Sequence, residues 1–155
     1  MTDEKEYLTK DKFKELEDEL DYLKRTKRRE VADNLEYAKS LGDLKENAEY
    51  QEARSVQVTT EDRVNKLESI LKSAIIITSH HGNLVDVGAT VTIQKESDKV
   101  ESTYILVGSE ETDIANKKIS NHSPLGLSLV GKKKGDVFTF SSPSGKITYK
   151  VIDVK

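Results

Sequence analysis

Two carboxylates, Asp43 and Glu46, stand three residues apart in the stretch Gly42-Asp43-Leu44-Lys45-Glu46-Asn47-Ala48-Glu49-Tyr50. At the start of a helix that spacing places both acids on one side. It is also the spacing of an N-cap with a reciprocal carboxylate, so Asp43 and Glu46 are predicted to start a helix after Asp43. The helix cap alone accounts for both residues. A second chemistry is open to them as well. Mg²⁺ takes six oxygens in octahedral array, so two carboxylates hold it poorly unless other ligands join them. The pair therefore suits half of a metal site that a partner completes.

Other candidate chemistry is scarce. The chain has no Cys, which excludes a disulfide scaffold, a Cys-based zinc site and a thiol nucleophile. His80, His81 and His122 show no metal-ligand spacing with carboxylates on a helix face. Gly131-Lys132-Lys133-Lys134-Gly135-Asp136 lacks the spacing of a phosphate-binding loop and reads as a basic turn. No Ser-His-Asp arrangement is identifiable from residue order. The run Lys24-Arg25-Thr26-Lys27-Arg28-Arg29 puts five cations in six residues. It reads either as a solvated helix surface paired with acids of a second helix or as a contact with nucleic-acid phosphates.

The elements that must carry these residues differ between the two halves of the chain. Charged residues fill 34 of the first 78 positions and 19 of the remaining 77, while seven of the eight glycines and both prolines lie in the second half. Long helices need few breakers and sheets need turns, so residues 1–78 are predicted to be helical and residues 79–155 to form a sheet. In the first half, Thr9 is placed to cap a helix with Asp11 in its first turn. Apolar residues recur at Phe13, Leu16, Leu20 and Leu23, then at Val31, Leu35 and Ala38. Lys27 takes a seam position between Leu23 and Val31, where the contact is predicted to loosen. After Ser40-Leu41-Gly42 a second stripe runs through Ala53, Gln57, Thr60, Val64, Leu67, Leu71 and Ala74. Neither stripe can be buried alone, so the two helices are predicted to form an antiparallel coiled-coil hairpin with its acidic tip near 42–50. On pattern alone, a spacer or dimerisation stalk fits as well.

In the second half, 89–94 pairs with 102–107 and 137–140 pairs with 147–152 as predicted strands. Ser142-Pro143-Ser144-Gly145 forms a turn between the latter two. Pro124–Leu129 is predicted as a short helix with Ser123 as its cap and Gly131 past its end. Residues 78–88 are predicted as a linker. The fold class is α+β: a long N-terminal hairpin followed by a small domain with a curved antiparallel sheet and one short helix.

The tip segment Gly42–Tyr50, followed by Ala53-Arg54, resembles the tip motif of the bacterial GreA/GreB transcript cleavage factors. Lys118-Ile119-Ser120, Ser123-Pro124-Leu125-Gly126, Leu129-Val130-Gly131-Lys132 and Gly135-Asp136 resemble that family's C-terminal domain in order and spacing. The likeness is nearer to GreA than to GreB, because the first helix lacks an extended basic face. The resemblance implies an FKBP-like C-terminal domain that docks on the rim of the secondary channel of RNA polymerase; likeness to that fold does not imply prolyl isomerase activity. It implies that the hairpin enters the channel and reaches the active centre of a backtracked enzyme. There Asp43 and Glu46 would share a Mg²⁺ with the polymerase and stimulate cleavage of the nascent RNA 3′ end, a reaction that belongs to the polymerase.

The resemblance also places Asn47 and Tyr50 in the tip motif, with Tyr50 equally suited to packing between the helices. Ser123, Pro124 and Leu125 become docking candidates, with His122 replacing a residue that is more often small and acidic or an amide. Lys24, Arg25, Lys27 and Arg28 are candidate RNA contacts. Alternative readings are a channel-binding inhibitor of the same shape and a plain coiled-coil adaptor. No membrane span of about 18 apolar residues exists. The acidic start Met1–Glu6 does not read as a signal peptide, and a cytoplasmic monomer is expected.

Overall fold

The computed structural model describes residues 5–42, 45–80 and 82–155. The chain divides into two compact units: Asp11–Ala74, and the residues up to Lys10 together with Ile75–Lys155.

The first unit is a helical hairpin. Its first arm consists of α1 (Lys10–Tyr22), a π-helical turn (Leu23–Lys27) and α2 (Arg28–Ser40). Its second arm is α3 (Ala48–Ser73). Leu16, Val31 and Ala38 are buried from the first arm, and Thr60, Val64, Leu67 and Ile70 from the second. Thr60 is the buried polar residue, and its hydroxyl donates to the Val56 carbonyl one turn back, at 2.7 Å.

The π turn has a cause in the spacing. Phe13, Leu16, Leu20, Leu23 and Lys27 alternate steps of three and four, so the next seam position would be Glu30. The apolar residues fall one later, at Val31, Leu35 and Ala38. A π turn absorbs one extra residue in an otherwise regular helix. The expected loosening at Lys27 is therefore a change of helical type. Lys27 stays half-buried and pairs with Glu30 at 3.4 Å.

The second unit holds two sheets. Strands β1 (Glu6–Thr9) and β2 (Ala74–Ile77) pair with each other. Sequence analysis assigned residues 1–78 to the hairpin and missed β1, a strand of only four residues. It is fixed by tertiary contacts. Leu8 is fully buried, and the backbone N–H and hydroxyl of Thr9 donate to the Glu111 carboxylate at 2.9 and 2.7 Å. Thr9, the residue expected to cap the first helix, directly precedes it, and the proton of its hydroxyl goes to Glu111. A Cβ on Gly108 would lie 2.0 Å from the Tyr7 carbonyl oxygen, so only glycine lets β1 approach this closely.

The larger sheet comprises β3 (Thr90–Lys95), β4 (Glu101–Val107), β5 (Lys118–Ser120), β6 (Val137–Ser142) and β7 (Gly145–Val154), in the order β5-β4-β3-β7-β6. The expected α+β class, with four of the five strands, is observed. One correction concerns strand direction: β5 runs parallel to β4, whereas the β4–β3, β3–β7 and β7–β6 pairs are antiparallel. A parallel neighbour needs a long connection, and the segment 108–117, with a 3₁₀ turn at Ser109–Glu111, provides it. A register shift at Thr92/Ile93 marks a bulge in β3 against β7. Alternation buries Val91 and Ile93 of β3 against Leu106, Phe138, Val151 and Leu129. Phe138 and Tyr149, register partners on β6 and β7, stack with centroids 5.7 Å apart.

The segment 78–88 is not a free linker. Val85 is buried in this core, its N–H donates to the Lys132 carbonyl at 2.7 Å, and its own carbonyl accepts from Gly131 at 2.8 Å.

Candidate functional site

The distal end of the hairpin is built by two helix termini. α2 ends at Ser40 with Leu41 as its C-cap, whose N–H returns to the Ala38 carbonyl at 3.2 Å. Gly42 follows at φ +148°, a backbone region that a side chain disfavours. Lys45 and Glu46 lie in an exposed turn, and α3 begins at Ala48 with Asn47 as its N-cap.

This corrects the expected capping pair. The predicted box had Asp43 as cap and Glu46 in the first turn, yet Glu46 precedes the helix. Asp43 and Leu44 lie outside the described residues. Asn47 performs two tasks that no carboxylate could combine. Its Oδ1 accepts the Tyr50 N–H at 3.0 Å, and its Nδ2 donates to the Ala38 carbonyl at 2.5 Å. The side chain thus ties the first turn of α3 to the last turn of α2, satisfying an orphan group at each end. Sequence analysis placed Asn47 in the tip motif without this role. Its signal was the residue type, obscured by the better-matching Asp43/Glu46 spacing. Tyr50 is half-buried behind the cap.

Beneath the turn lies a hollow of about 440 Å³ between α2 and α3. Val31, Ala38, Ala48, Ala53 and Val56 form its apolar wall, with Tyr37, Asn34, Glu49 and Glu52 around it. Three alanines face the seam where larger side chains would close it. Neither apolar stripe of the sequence records this space.

The four candidate RNA contacts of the first arm already have carboxylate partners. Arg28 makes a two-pronged contact with Glu61 at 2.8 and 2.7 Å, Lys24 pairs with Glu68, Arg25 with Asp21 at 2.7 Å, and Lys27 with Glu30. The guanidinium hydrogen bond holds the Glu61 carboxyl below its ordinary range and raises Arg28 in turn. Nearer the base, Arg63 grips Glu19 in the same two-pronged way at 2.7 and 2.8 Å, and lowers the Glu19 carboxyl.

In the sheet unit, α4 (Pro124–Leu129) has the predicted bounds, with Pro124 at its start and Ser123 as cap. The Ser123 hydroxyl accepts from Gly126 N–H at 3.1 Å and donates to the Ser120 carbonyl at 2.6 Å. Leu125 packs against the core. Of the three docking candidates, Pro124 alone is exposed, while Leu127 on the same helix is 63% exposed. His122 is exposed. His80 faces the Leu84 carbonyl through Nε2 at 2.8 Å, and His81 lies outside the described residues. Among the described residues no group of three or more His, Asp or Glu is placed to hold a metal ion. No helix among them is long and apolar enough to cross a membrane.

A capped helical hairpin with an exposed acid in its turn defines a protein that presents a tip. The family descriptions give that class a name. "Transcription elongation factor, N-terminal" matches residues 6–76, and "Transcription elongation factor, GreA/GreB, C-term" matches residues 80–155. The chain belongs to the GreA/GreB family of transcription elongation factors. It is 44% identical over 119 residues to transcription elongation factor GreA of Thermoanaerobacter pseudethanolicus, covering 76% of each chain. It is 45% identical over 117 residues to GreA of Francisella tularensis subsp. novicida, covering 74% of this chain and 73% of that one. Among solved structures, GreA factor homolog 1 of Thermus thermophilus matches at 25% identity and a TM-score of 0.45, over 97% of this chain and 99% of that one.

Proposed function

We propose that this protein is a transcription elongation factor that binds RNA polymerase and stimulates the polymerase's own cleavage of backtracked nascent RNA. The hairpin enters the secondary channel and delivers the tip to the active centre. The sheet unit, FKBP-like in this reading, docks on the channel rim through the loop at Ser123, Pro124 and Leu125. The factor contributes no complete active site. It is an accessory to an enzyme and acts as a monomer.

The observation that carries this reading is the tip itself, where Asn47 ties both helix ends together and leaves Glu46 exposed in the turn. Because Asn47 caps α3, Glu46 has no capping task, and its carboxylate is free to serve a partner. Asp43 and Glu46 are the residues assigned to a shared Mg²⁺. Two carboxylates fit such an ion only in part, which suits a site whose remaining oxygens belong to the polymerase. When bound, the ion would supply stabilisation of attacking and leaving oxygens in phosphodiester hydrolysis. The chain's own work is positional: Asn47 fixes the turn, Tyr50 packs behind it, and Gly42 lets the chain reverse.

Cleavage of RNA in a stalled, backtracked elongation complex tests the proposal. The parent should accelerate release of the 3′ fragment with Mg²⁺ present, and Asp43→Asn or Glu46→Gln should abolish the acceleration. Variants that stimulate as well as the parent would remove the metal role. A parent that slows intrinsic cleavage would mark a channel-binding inhibitor, and one without effect an adaptor.

Lys24, Arg25, Lys27 and Arg28 could reach RNA phosphates only by exchanging their carboxylate partners. Replacing all four by Gln should reduce the salt dependence of engagement modestly. An unchanged dependence assigns them to the hairpin surface alone.

A further inference from the structure

The hollow beneath the tip has no role in the cap, the turn or the carboxylate pair. Ala38, Ala48 and Ala53 leave about 440 Å³ open where Leu or Ile would pack the two helices together. An apolar space left facing solvent forgoes contacts and weakens the hairpin at that level. Tyr37 stands beside it with 65% of its surface exposed. The rim acids Glu49 and Glu52 form no ion pair among the described residues, so their charge stands unneutralised beside the apolar wall. Apolar walls with an unneutralised acidic rim complement an apolar side chain on a cationic segment. They oppose a phosphate backbone, which carries the same charge as the rim.

We propose that the hollow is a docking site for a cationic polypeptide segment of RNA polymerase, which inserts one apolar side chain between α2 and α3 and sets Lys or Arg against Glu49 and Glu52. The proposal rests on the functional reading above and adds a second grip on the same partner. The tip acids deliver ligands, and the hollow beside them holds the hairpin at the depth where delivery occurs.

Filling the hollow tests this directly. Ala53→Phe should keep the parent's helix content and melt at or above the parent temperature, because the new ring occupies vacant space. Its affinity for core RNA polymerase without nucleic acid, measured with fluorescently labelled factor, should fall about tenfold, the loss expected for one displaced anchor. Glu49→Gln with Glu52→Gln, which leaves the hollow open, should weaken binding and flatten its salt dependence. If Ala53→Phe does not fold, the double Gln variant decides alone. Parent-like affinity in the folded Ala53→Phe variant would overturn the proposal while leaving cleavage stimulation by the parent intact. A defect seen only when extruded RNA is present would make RNA the occupant and overturn it. So would a parent dimer in sedimentation that Ala53→Phe converts to monomer. A parent that neither binds polymerase nor stimulates cleavage would sink the functional reading and this proposal together.

Discussion

The two ends of the hairpin are built on different principles. Toward the base, Leu16, Val64, Leu67 and Ile70 fill the seam, and Glu19–Arg63, Lys24–Glu68 and Arg28–Glu61 cross it. Toward the tip, three alanines line a hollow, and Glu46, Glu49 and Glu52 stand without ion pairs among the described residues. The hairpin's largest fully buried side chains lie in the shaft, and at the distal end one asparagine ties the two helix termini together. A segment that must offer its groups to a partner cannot also satisfy them internally. The shaft supplies the folding free energy that the tip leaves unclaimed.

The largest expected effect sharpens that contrast. Leu67→Ala removes a fully buried shaft side chain and should cost about 2–5 kcal/mol in denaturant unfolding. Val56→Ala, beside the hollow, should cost less than about 1 kcal/mol, because its environment is already incompletely filled. Equal losses would show that the two ends are packed alike.

Next in size is the clasp. Asn47→Ala loses the cap and the bridge to Ala38, and should cost about 1–2 kcal/mol. Asn47→Asp keeps the acceptor for Tyr50 and loses the donor, so its cost should be intermediate. Hydrogen exchange at the Tyr50 amide reads the cap directly: strong acceleration in the Ala variant and weak acceleration in the Asp variant. Exchange in the Asp variant as slow as in the parent would deny the amide its second role.

Much of this architecture was legible in residue pattern. The seam from Leu16 to Leu67, the strands β3, β4, β6 and β7 and the bounds of α4 follow from periodicity, turn residues and a Ser-Pro start. Three features were obscured, each for a physical reason. Strand β1 is four residues long and is fixed by Leu8 burial and the Thr9–Glu111 bond, contacts 102 residues apart in sequence. The cap at Asn47 lost to a more regular spacing four residues earlier, because a sequence pattern cannot register that one amide serves two helices. The hollow is defined by what is missing between helices, which no single stripe records. The π turn was half visible: three successive steps of four, Leu23 to Lys27 to Val31 to Leu35, already break the alternation of three and four.

That last point yields a prediction of smaller size and unusual sign. Deleting Thr26, an exposed residue within the π turn, puts Leu16, Leu20, Leu23, Val31, Leu35 and Ala38 in one heptad register, with Arg28 in the seam place of Lys27. A deletion inside a regular helix would rotate everything beyond it by about 100° and scramble the seam. Here it should leave the melting temperature within about 2 °C of the parent or raise it. A clear drop would show that the π turn is held by its own contacts and does more than correct register.

The smallest effect separates the shaft's ion pairs by their access to water. Arg63 and Arg28 lower the carboxyls of Glu19 and Glu61 in the folded state. For an acid lowered on folding, the stabilisation is complete above its ordinary value, about 4.3 for Glu, and vanishes as pH falls through the folded-state value. Glu19→Gln should therefore be less stable than the parent at neutral pH and converge with it in acid. Both partners of the Glu19–Arg63 pair keep about a third of their side-chain surface exposed, so the neutral-pH gap should not exceed about 1 kcal/mol. Glu61→Gln should follow the same course with a smaller gap, and 1 M salt should erase that gap more completely, because Arg28 and Glu61 are more exposed. Should Glu61→Gln prove the costlier change in high salt, the shaft's electrostatic support would lie nearer the tip than its geometry places it.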